Sequence, residues 1–131
     1  MNWLAIGPLE SWKRALELST WGMTKRYKHF WNQVSPHDTL FFYVTSPVKG
    51  VVGYGTIKEK LQENKPLWPE EVREKQTLWP LRLRFNVTHC LPPEWWETGR
   101  VRLNAKQAVL QKGFQALRKE VMALILKELT K

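Results

Sequence analysis

Four short segments carry the apolar, β-branched and aromatic pattern that is typical of β-strands. They are residues 3–6, 40–45, 51–57 and 81–88. The last segment alternates apolar and polar residues, so we expect a half-buried strand whose other face displays Arg82 and Arg84. The second and third segments are separated by a turn and should form a hairpin. Gly53 and Gly55 predict a β-bulge, or a close approach of two backbones, within that hairpin.

Helical spacing is found in three other segments. Residues 9–18 and 25–34 predict short helices, and the second should end before Pro36. A longer helix is expected from Asn104 onward, with Asn104 as its N-cap. A helix with such a wide apolar stripe either lies in a groove of the sheet or helps to form a homodimer. The stripe comprises Leu110, Phe114, Leu117, Val121, Leu124 and Ile125.

Residues 58–74 are charged and contain proline, which predicts a long surface excursion with Glu70 and Glu71 in solvent. The Trp-Pro pairs at 68–69 and 79–80 are not expected in a central strand, because proline lacks a backbone donor. The order of elements predicts an α+β fold, with a small curved sheet or barrel flanked by helices. A chain of 131 residues fits a single domain over 1–131.

The segment 21–31 combines four aromatic rings with three Lys or Arg side chains. Trp21 precedes Gly22 and is predicted to stand in a loop, off any periodic core face, so we expect it to line a pocket. Rings interleaved with cations suit a base that stacks and a phosphate that is neutralised. Lys25, Arg26 and Lys28 either contact that phosphate or form a solvated helix face.

The net charge of +9 favours a polyanionic partner, through counterion release and long-range attraction. A basic but merely solvated surface is the alternative. Cys90 is the only cysteine of the sequence, so an internal disulfide is excluded and a reducing, cytoplasmic compartment is the simpler expectation. No apolar run approaches the about 18 residues that a membrane-spanning helix needs, so no membrane partner is expected.

No catalytic or cofactor-binding pattern is found in the sequence. His29, His37 and His89 have no metal-ligand spacing to one another or to a cysteine. Cys90 adjoins His89, but neighbours on a strand point to opposite faces and would not meet. Asp38 follows a turn, where it either caps the turn or accepts a hydrogen bond at a pocket rim. We therefore expect no catalytic residue, no metal and no cofactor.

Several short motifs are spread over nearly the whole chain. They are residues 3–5, the Trp21-Gly22 pair with residues 25–27, residues 34–43, and the glycine-containing strand 50–55. Together they resemble the EVE domain family, a branch of the PUA-like superfamily that is related to YTH and ASCH domains. Two features depart from the family pattern. His37 stands where a glycine is common, and the chain from Asn104 onward looks more helical than in many members.

The resemblance implies a PUA-like small β-barrel with peripheral helices, and a pocket for a base that is turned out of its stack. Members of the family are regarded as readers of modified bases in DNA or RNA. Trp21-Gly22 matches the pocket element of the family, and Arg26 matches the basic position after it. Phe42, Tyr43 and Ser46 match the strand end that borders the pocket. The base pocket expected from these matches and from the ring at position 27 comprises Trp21, Gly22, Tyr27, Phe42, Tyr43 and Ser46.

The sequence thus favours a non-enzymatic nucleic-acid-binding module that reads a modified, methylated base in RNA or DNA. Two other functions stay open. One is an enzyme acting on RNA or nucleotides, which needs an acid–base pair that the sequence does not reveal. The other is a protein-interaction domain whose C-terminal apolar stripe docks a partner.

Overall fold

The computed structural model describes residues 1–130, and in this range it contains six β-strands, five α-helices and two 3-10 turns. The strands are β1 (Asn2–Gly7), β2 (Thr20–Met23), β3 (Thr39–Val44), β4 (Gly50–Gln62), β5 (Leu81–Cys90) and β6 (Phe114–Ala116). The α-helices are α1 (Leu9–Leu18), α2 (Lys28–Gln33), α3 (Pro69–Glu74), α4 (Trp96–Gly99) and α5 (Lys119–Leu129). The 3-10 turns are Lys25–Tyr27 and Pro93–Trp95. No helix of this part of the chain is long and apolar enough to cross a membrane.

All six strands form one curled sheet, a half-barrel, in the order β2-β5-β4-β3-β1-β6. The β1–β3 pair is parallel and the other pairs are antiparallel. The predicted α+β fold and the β3–β4 hairpin are therefore confirmed. The ladder shifts register beside Gly53 and Gly55, and a Cβ at either glycine would lie within 2.6 Å of a carbonyl oxygen of β5. Both the bulge and the close approach of backbones are thus present.

Each face of the sheet carries its own hydrophobic core. One core contains large rings, among them Trp3, Trp12 and Phe42, and closes the inside of the half-barrel. The other core covers the opposite face, where Val121 and Ile125 of α5 pack against the sheet. Of the two placements predicted for the C-terminal helix, the structure shows the one against the sheet.

The prediction of a helix from Asn104 onward is wrong, because helix α5 begins only at Lys119. The Asn104 side chain caps a turn instead, since its Oδ1 accepts the N–H groups of Lys106 and Gln107. Phe114 belongs to β6 and pairs with β1. Its ring stacks on Trp3 with centroids 5.2 Å apart and planes at 10°. Pairing with the free edge of β1 and ring stacking thus override the helical spacing.

The loop predicted around Trp21 is also wrong, because Trp21 lies in strand β2. It pairs with Leu83 of β5, and its side chain is only 6% exposed.

Strand β4 continues to Gln62, so the excursion is shorter than expected. His37 takes φ of 77°, a left-handed conformation that favours glycine. The turn therefore has the geometry of a glycine turn although a histidine occupies it.

Candidate functional site

A cavity of about 150 Å³ lies at the open side of the half-barrel. Its walls come from the end of β1, from the edge strand β2 and the 3-10 turn that follows it, and from the excursion between β4 and β5. Pockets for drug-sized ligands measure roughly 300–1,000 Å³. The size of this cavity therefore suits a single planar ring system better than a large ligand.

Four aromatic side chains line this cavity: Trp21, Tyr27, Trp68 and Trp79. Trp21 is stacked on Trp12, with centroids 4.1 Å apart and planes at 16°, so one face of its ring is covered. Trp68 and Trp79 meet edge to face, with centroids 5.9 Å apart and planes at 81°. Their mutual packing fixes the two ring planes nearly at right angles, so the cavity has one wall formed by a ring face and one formed by a ring edge.

Two glycines allow these rings to approach the backbone. A Cβ on Gly7 would lie 2.3 Å from Cη2 of Trp21, and a Cβ on Gly22 would lie 2.8 Å from Cη2 of Trp68. Neither distance is compatible with a side chain at the glycine. The absence of side chains at Gly7 and Gly22 therefore sets the distance between the sheet and the aromatic walls.

The backbone of Gly22 offers the cavity a donor and an acceptor. The N–H of Phe85 donates to the carbonyl of Ser19 at 3.0 Å, and β2 continues the same ladder. Bonded and non-bonded pairs alternate along an antiparallel ladder. Trp21 is therefore bonded to Leu83, while the N–H and C=O of Gly22 turn away from β5. Since β2 is an edge strand, both groups point to the side of the sheet where no further strand pairs, and Gly22 lines the cavity.

Two hydroxyl groups add to the polar lining. Oγ1 of Thr24 is buried and has no hydrogen-bond partner within residues 1–130. The hydroxyl oxygen of Tyr27 accepts the N–H of Gly113 at 2.9 Å, so its own proton remains free to be donated. A buried polar atom without a partner costs about 1–3 kcal/mol. A ligand that bonds to Thr24 would recover that cost.

One carboxylate, that of Glu71, holds the excursion in place. Glu71 is 0% exposed. Its Oε1 accepts the N–H groups of Leu67 (2.9 Å) and Trp68 (3.3 Å), and its Oε2 accepts those of Leu78 (2.8 Å) and Trp79 (3.0 Å). The tripeptide Leu-Trp-Pro occurs at 67–69 and again at 78–80. Each copy therefore gives two donors to one oxygen, and we call this arrangement the Glu71 clamp.

The guanidinium of Arg82 compensates the negative charge of the Glu71 carboxylate. This guanidinium is 3.2 Å from Glu71 and 3.2 Å from Glu63, and the Arg82 side chain is fully buried. The expectations that Arg82 is displayed on an exposed strand face and that Glu71 is solvated are both wrong. A buried charge is tolerated when it is paired and hydrogen-bonded, which is the case for these two residues. Arg84 is half-exposed, as expected, and pairs with Glu59 at 3.3 Å.

The basic residues lie at the rim of the cavity. Lys25, Arg26 and Lys28 are exposed and belong to the 3-10 turn and the start of α2. Lys25 and Arg26 stand between two lining residues, Thr24 and Tyr27. The guanidinium of Arg26 lies 5.5 Å from the centroid of the Tyr27 ring. This turn therefore presents positive charge beside the entrance of the cavity.

Three residues of the expected base pocket are not among those that line this cavity. Phe42 is 0% exposed and packs against Trp12, with centroids 4.8 Å apart, so it supports the ring on which Trp21 stacks. Tyr43 belongs to the core under α5, where burial raises the pKa of its hydroxyl. Ser46 is exposed in the β3–β4 turn. Strand alternation divides Phe42 and Tyr43 between the two cores, and neither faces the cavity.

Sequence reasoning missed Trp68 and Trp79 as lining residues. They lie far along the chain from Trp21; Trp68 falls in the segment 58–74 that we interpreted as a surface excursion, and Trp79 follows that segment. The repeated Leu-Trp-Pro tripeptide was the available signal, because a tryptophan next to proline in an otherwise charged segment needs a packing partner. That partner is the edge strand β2. Gly22 of this strand lies against the ring of Trp68 and the Cβ of Trp79.

The surroundings of Asp38 and Cys90 suit structural roles and not catalysis. Burial opposes ionisation of Asp38, but hydrogen bonds from the Ser35 backbone, the Trp3 indole and the Met1 amino group outweigh it. They hold the pKa of Asp38 below its usual value. Asp38 therefore caps its turn. Burial raises the pKa of the Cys90 thiol to about 11, although a contact with Trp96 opposes this. Cys90 is thus a neutral thiol at physiological pH, which does not suit a nucleophile.

Solved structures share this architecture at low sequence identity. The ASCH protein of Zymomonas mobilis, solved as a point mutant, gives a TM-score of 0.65 at 11% identity, over 96% of this chain and 96% of that chain. The Mmi1 YTH domain gives 0.63 at 11% identity, over 98% of this chain and 76% of that chain. The Mmi1 YTH domain in complex with RNA gives 0.61 at 12% identity, over 98% and 79%.

These similarities define the class of fold. The chain has the PUA-like fold of ASCH and YTH domains, an α+β small barrel, as the sequence predicted. No family model matches the sequence, and no curated protein matches it. Membership of the EVE family in particular stays a prediction.

Proposed function

We propose that this protein is a non-enzymatic module that binds single-stranded RNA and holds one base, turned out of its stack, in the aromatic cavity. The observation that carries the proposal is a cavity with four aromatic residues, one orphaned hydroxyl and a free strand edge beside a basic rim. The fold adds support, since a YTH domain with the same architecture has been solved in complex with RNA.

The cavity supplies what a base requires. Stacking on aromatic side chains contributes about 1–3 kcal/mol per base. The N–H and C=O of Gly22 and the hydroxyl of Thr24 can bond to a base edge. Turning a base out of a duplex costs a few kcal/mol, so a single strand is the easier target. We further propose that a methyl group on the base packs inside the cavity against the rings of Trp68 and Trp79, which makes the module a reader of modified bases.

The rim supplies contacts to the strand. Lys25, Arg26 and Lys28 are exposed beside the entrance, where they can neutralise phosphates on either side of the bound base. Such contacts are independent of sequence and weaken as salt displaces them. DNA is the alternative strand, and parallel measurement with DNA of the same sequence distinguishes the two.

The test is a set of titrations by fluorescence anisotropy at two salt concentrations. The probes are nine-nucleotide strands of uridine with adenosine, N6-methyladenosine, cytidine or 5-methylcytidine at the centre. We expect one methylated probe to bind more tightly than its plain counterpart, by a ratio that changes little with salt, because stacking and base-edge contacts are local. Trp79→Ala should bring that ratio close to one and keep most of the salt slope.

Two matched controls make the test specific. Trp95→Ala removes a tryptophan that is 60% exposed and outside the cavity, so it should leave the ratio unchanged. Arg26→Ala should weaken all probes alike and reduce the salt slope by about 0.7, whereas Lys119→Ala on α5 should change little. Equal binding of every probe, unaffected by Trp79→Ala, would leave only a basic surface and refute the proposal.

Two further expectations accompany this proposal. An RNA-acting enzyme is disfavoured by the lining, which contributes a single carboxylate, that of Glu70, and no histidine or cysteine among the described residues. The lone Cys90 suits the reducing cytoplasm. A homodimer through the C-terminal helix stays a prediction. Sedimentation velocity of the wild type and of a variant at the exposed Leu124 would test it.

A further inference from the structure

A second groove, of about 510 Å³, adjoins the cavity on the side of the excursion. One wall consists of Gln62, Glu63 and Asn64 at the end of β4, and the facing wall of Thr77 and Pro80. Lys25 also lines the groove, and the preceding residue, Thr24, lines the cavity. Two consecutive residues, Thr24 and Lys25, thus line the cavity and the groove.

Three polar side chains of this groove, those of Gln62, Asn64 and Thr77, have no hydrogen-bond partner among residues 1–130. Oγ1 of Thr77 is buried and has no hydrogen bond within residues 1–130. Four buried side-chain polar atoms of the described chain share this property, and two of them, in Thr24 and Thr77, belong to the cavity and the groove. No hydrogen bond to the side chains of Gln62 or Asn64 is formed by any residue of the described range. A ligand that enters the groove would satisfy a buried hydroxyl that the fold leaves unpaired.

Two contacts of Glu63 hold the walls of the groove in place. The N–H of Glu63 donates to the carbonyl of Pro80 at 3.0 Å, which joins one wall to the other. The guanidinium of Arg82 bonds to Glu63 at 3.2 Å and also to the carbonyl of Lys65. Glu63 is therefore paired with an internal cation, which weakens its repulsion of a phosphate but does not cancel it, because the same guanidinium also pairs with Glu71.

We propose that this groove binds the nucleotide next in the strand to the base in the cavity, and that Gln62 and Asn64 read the edge of its base. Side-chain amides carry a donor and an acceptor side by side, which matches the donor–acceptor pairs on base edges. Lys25 lies between the two sites and neutralises the phosphate that links the two nucleotides. The inference rests on the proposed function, because it takes the cavity to hold a base.

The test uses the nine-nucleotide RNA whose central base binds best, with the 5′ neighbour and then the 3′ neighbour of that base varied among the four nucleotides. Wild type should prefer one neighbour on one side by roughly 5- to 150-fold, the discrimination expected of a bidentate contact. The double variant Gln62→Ala/Asn64→Ala should reduce that preference to near one and leave the discrimination at the central base unchanged. Thr77→Val, which removes only the hydroxyl, should reduce the preference in part.

The control is Asn32→Ala/Gln111→Ala, which removes two exposed amides outside the groove and should keep the preference. If wild type binds all neighbours equally, or if the groove variant keeps its preference, the inference is refuted while central-base discrimination still supports the cavity. If central-base discrimination is also missing and Trp79→Ala has no effect, the proposed function fails together with the inference. Binding of a protein instead of RNA would appear as this second outcome.

Discussion

Replacing Glu71 by glutamine tests whether the clamp holds the wall of the cavity. The change keeps the size of the side chain but exchanges one acceptor oxygen for an NH2 group. In wild type each oxygen accepts two backbone N–H groups and contacts the guanidinium of Arg82. In Glu71→Gln one of these donor pairs faces another donor, and Arg82 keeps only the partly exposed Glu63 as its charged partner.

The magnitude follows from the burial of the pair. Both side chains are 0% exposed, so solvent cannot replace the lost interaction. Removing one partner of a buried ion pair costs about 3–5 kcal/mol, and each buried N–H left without an acceptor costs about 1–3 kcal/mol. These terms share one group and do not add. We therefore expect the free energy of unfolding to fall by about 3–5 kcal/mol, a large part of the roughly 5–15 kcal/mol of a typical domain.

Urea denaturation followed by tryptophan fluorescence measures the loss. Glu70→Gln is the matched control, because Glu70 is the neighbouring residue and is exposed. It should change the free energy of unfolding by less than about 0.5 kcal/mol. A loss for Glu71→Gln as small as that of the control would show that the clamp does not hold the excursion, and the account of the cavity wall would fall with it.

Two other perturbations probe the sheet. Because the folded pKa of Asp38 is lowered, its contribution to stability is present above its unfolded pKa of about 3.9 and is lost as pH falls through the lower folded value. Asp38→Asn, which weakens the bond to Trp3, should therefore flatten the acid limb of a stability–pH curve, and an unchanged limb would contradict this. Gly7→Ala places a Cβ 2.3 Å from the Trp21 ring, so it should cost about 1–3 kcal/mol and weaken RNA binding in anisotropy titrations. Wild-type binding by this variant would show that Trp21 can move freely.

The β3–β4 hairpin and its bulge could be predicted from the sequence, because both depend on residues that are close together along the chain. The hairpin followed from its aromatic and β-branched run, and the bulge from Gly53 and Gly55. Strand β2 could not be predicted from the sequence, because its four residues, which include Gly22, show no alternation of apolar and polar positions. It exists because β5 offers an unpaired edge, which is a property of the assembled sheet.

Some of the residues that line the cavity could be predicted from the sequence. Trp21, Gly22 and Tyr27 lie in one segment, so their co-localisation could be proposed from the sequence. Trp68 and Trp79 reach the same cavity only through the Glu71 clamp. Whether a glutamate in a charged segment is solvated or fully buried depends on Arg82, which lies 11 residues along the chain. Such a pairing has no local signature, because charged residues on neighbouring segments look alike before they fold.

The Glu71 clamp also has a consequence for motion. Four amide hydrogens share one acceptor group, so the wall that carries Trp68 and Trp79 cannot loosen one contact at a time without leaving the carboxylate buried and underbonded. Opening is therefore cooperative, and residues 67–79 behave as one unit that is either seated or released. Under the proposed function, the release of that unit limits the exchange of a base in and out of the cavity, while the curled sheet behind it stays intact.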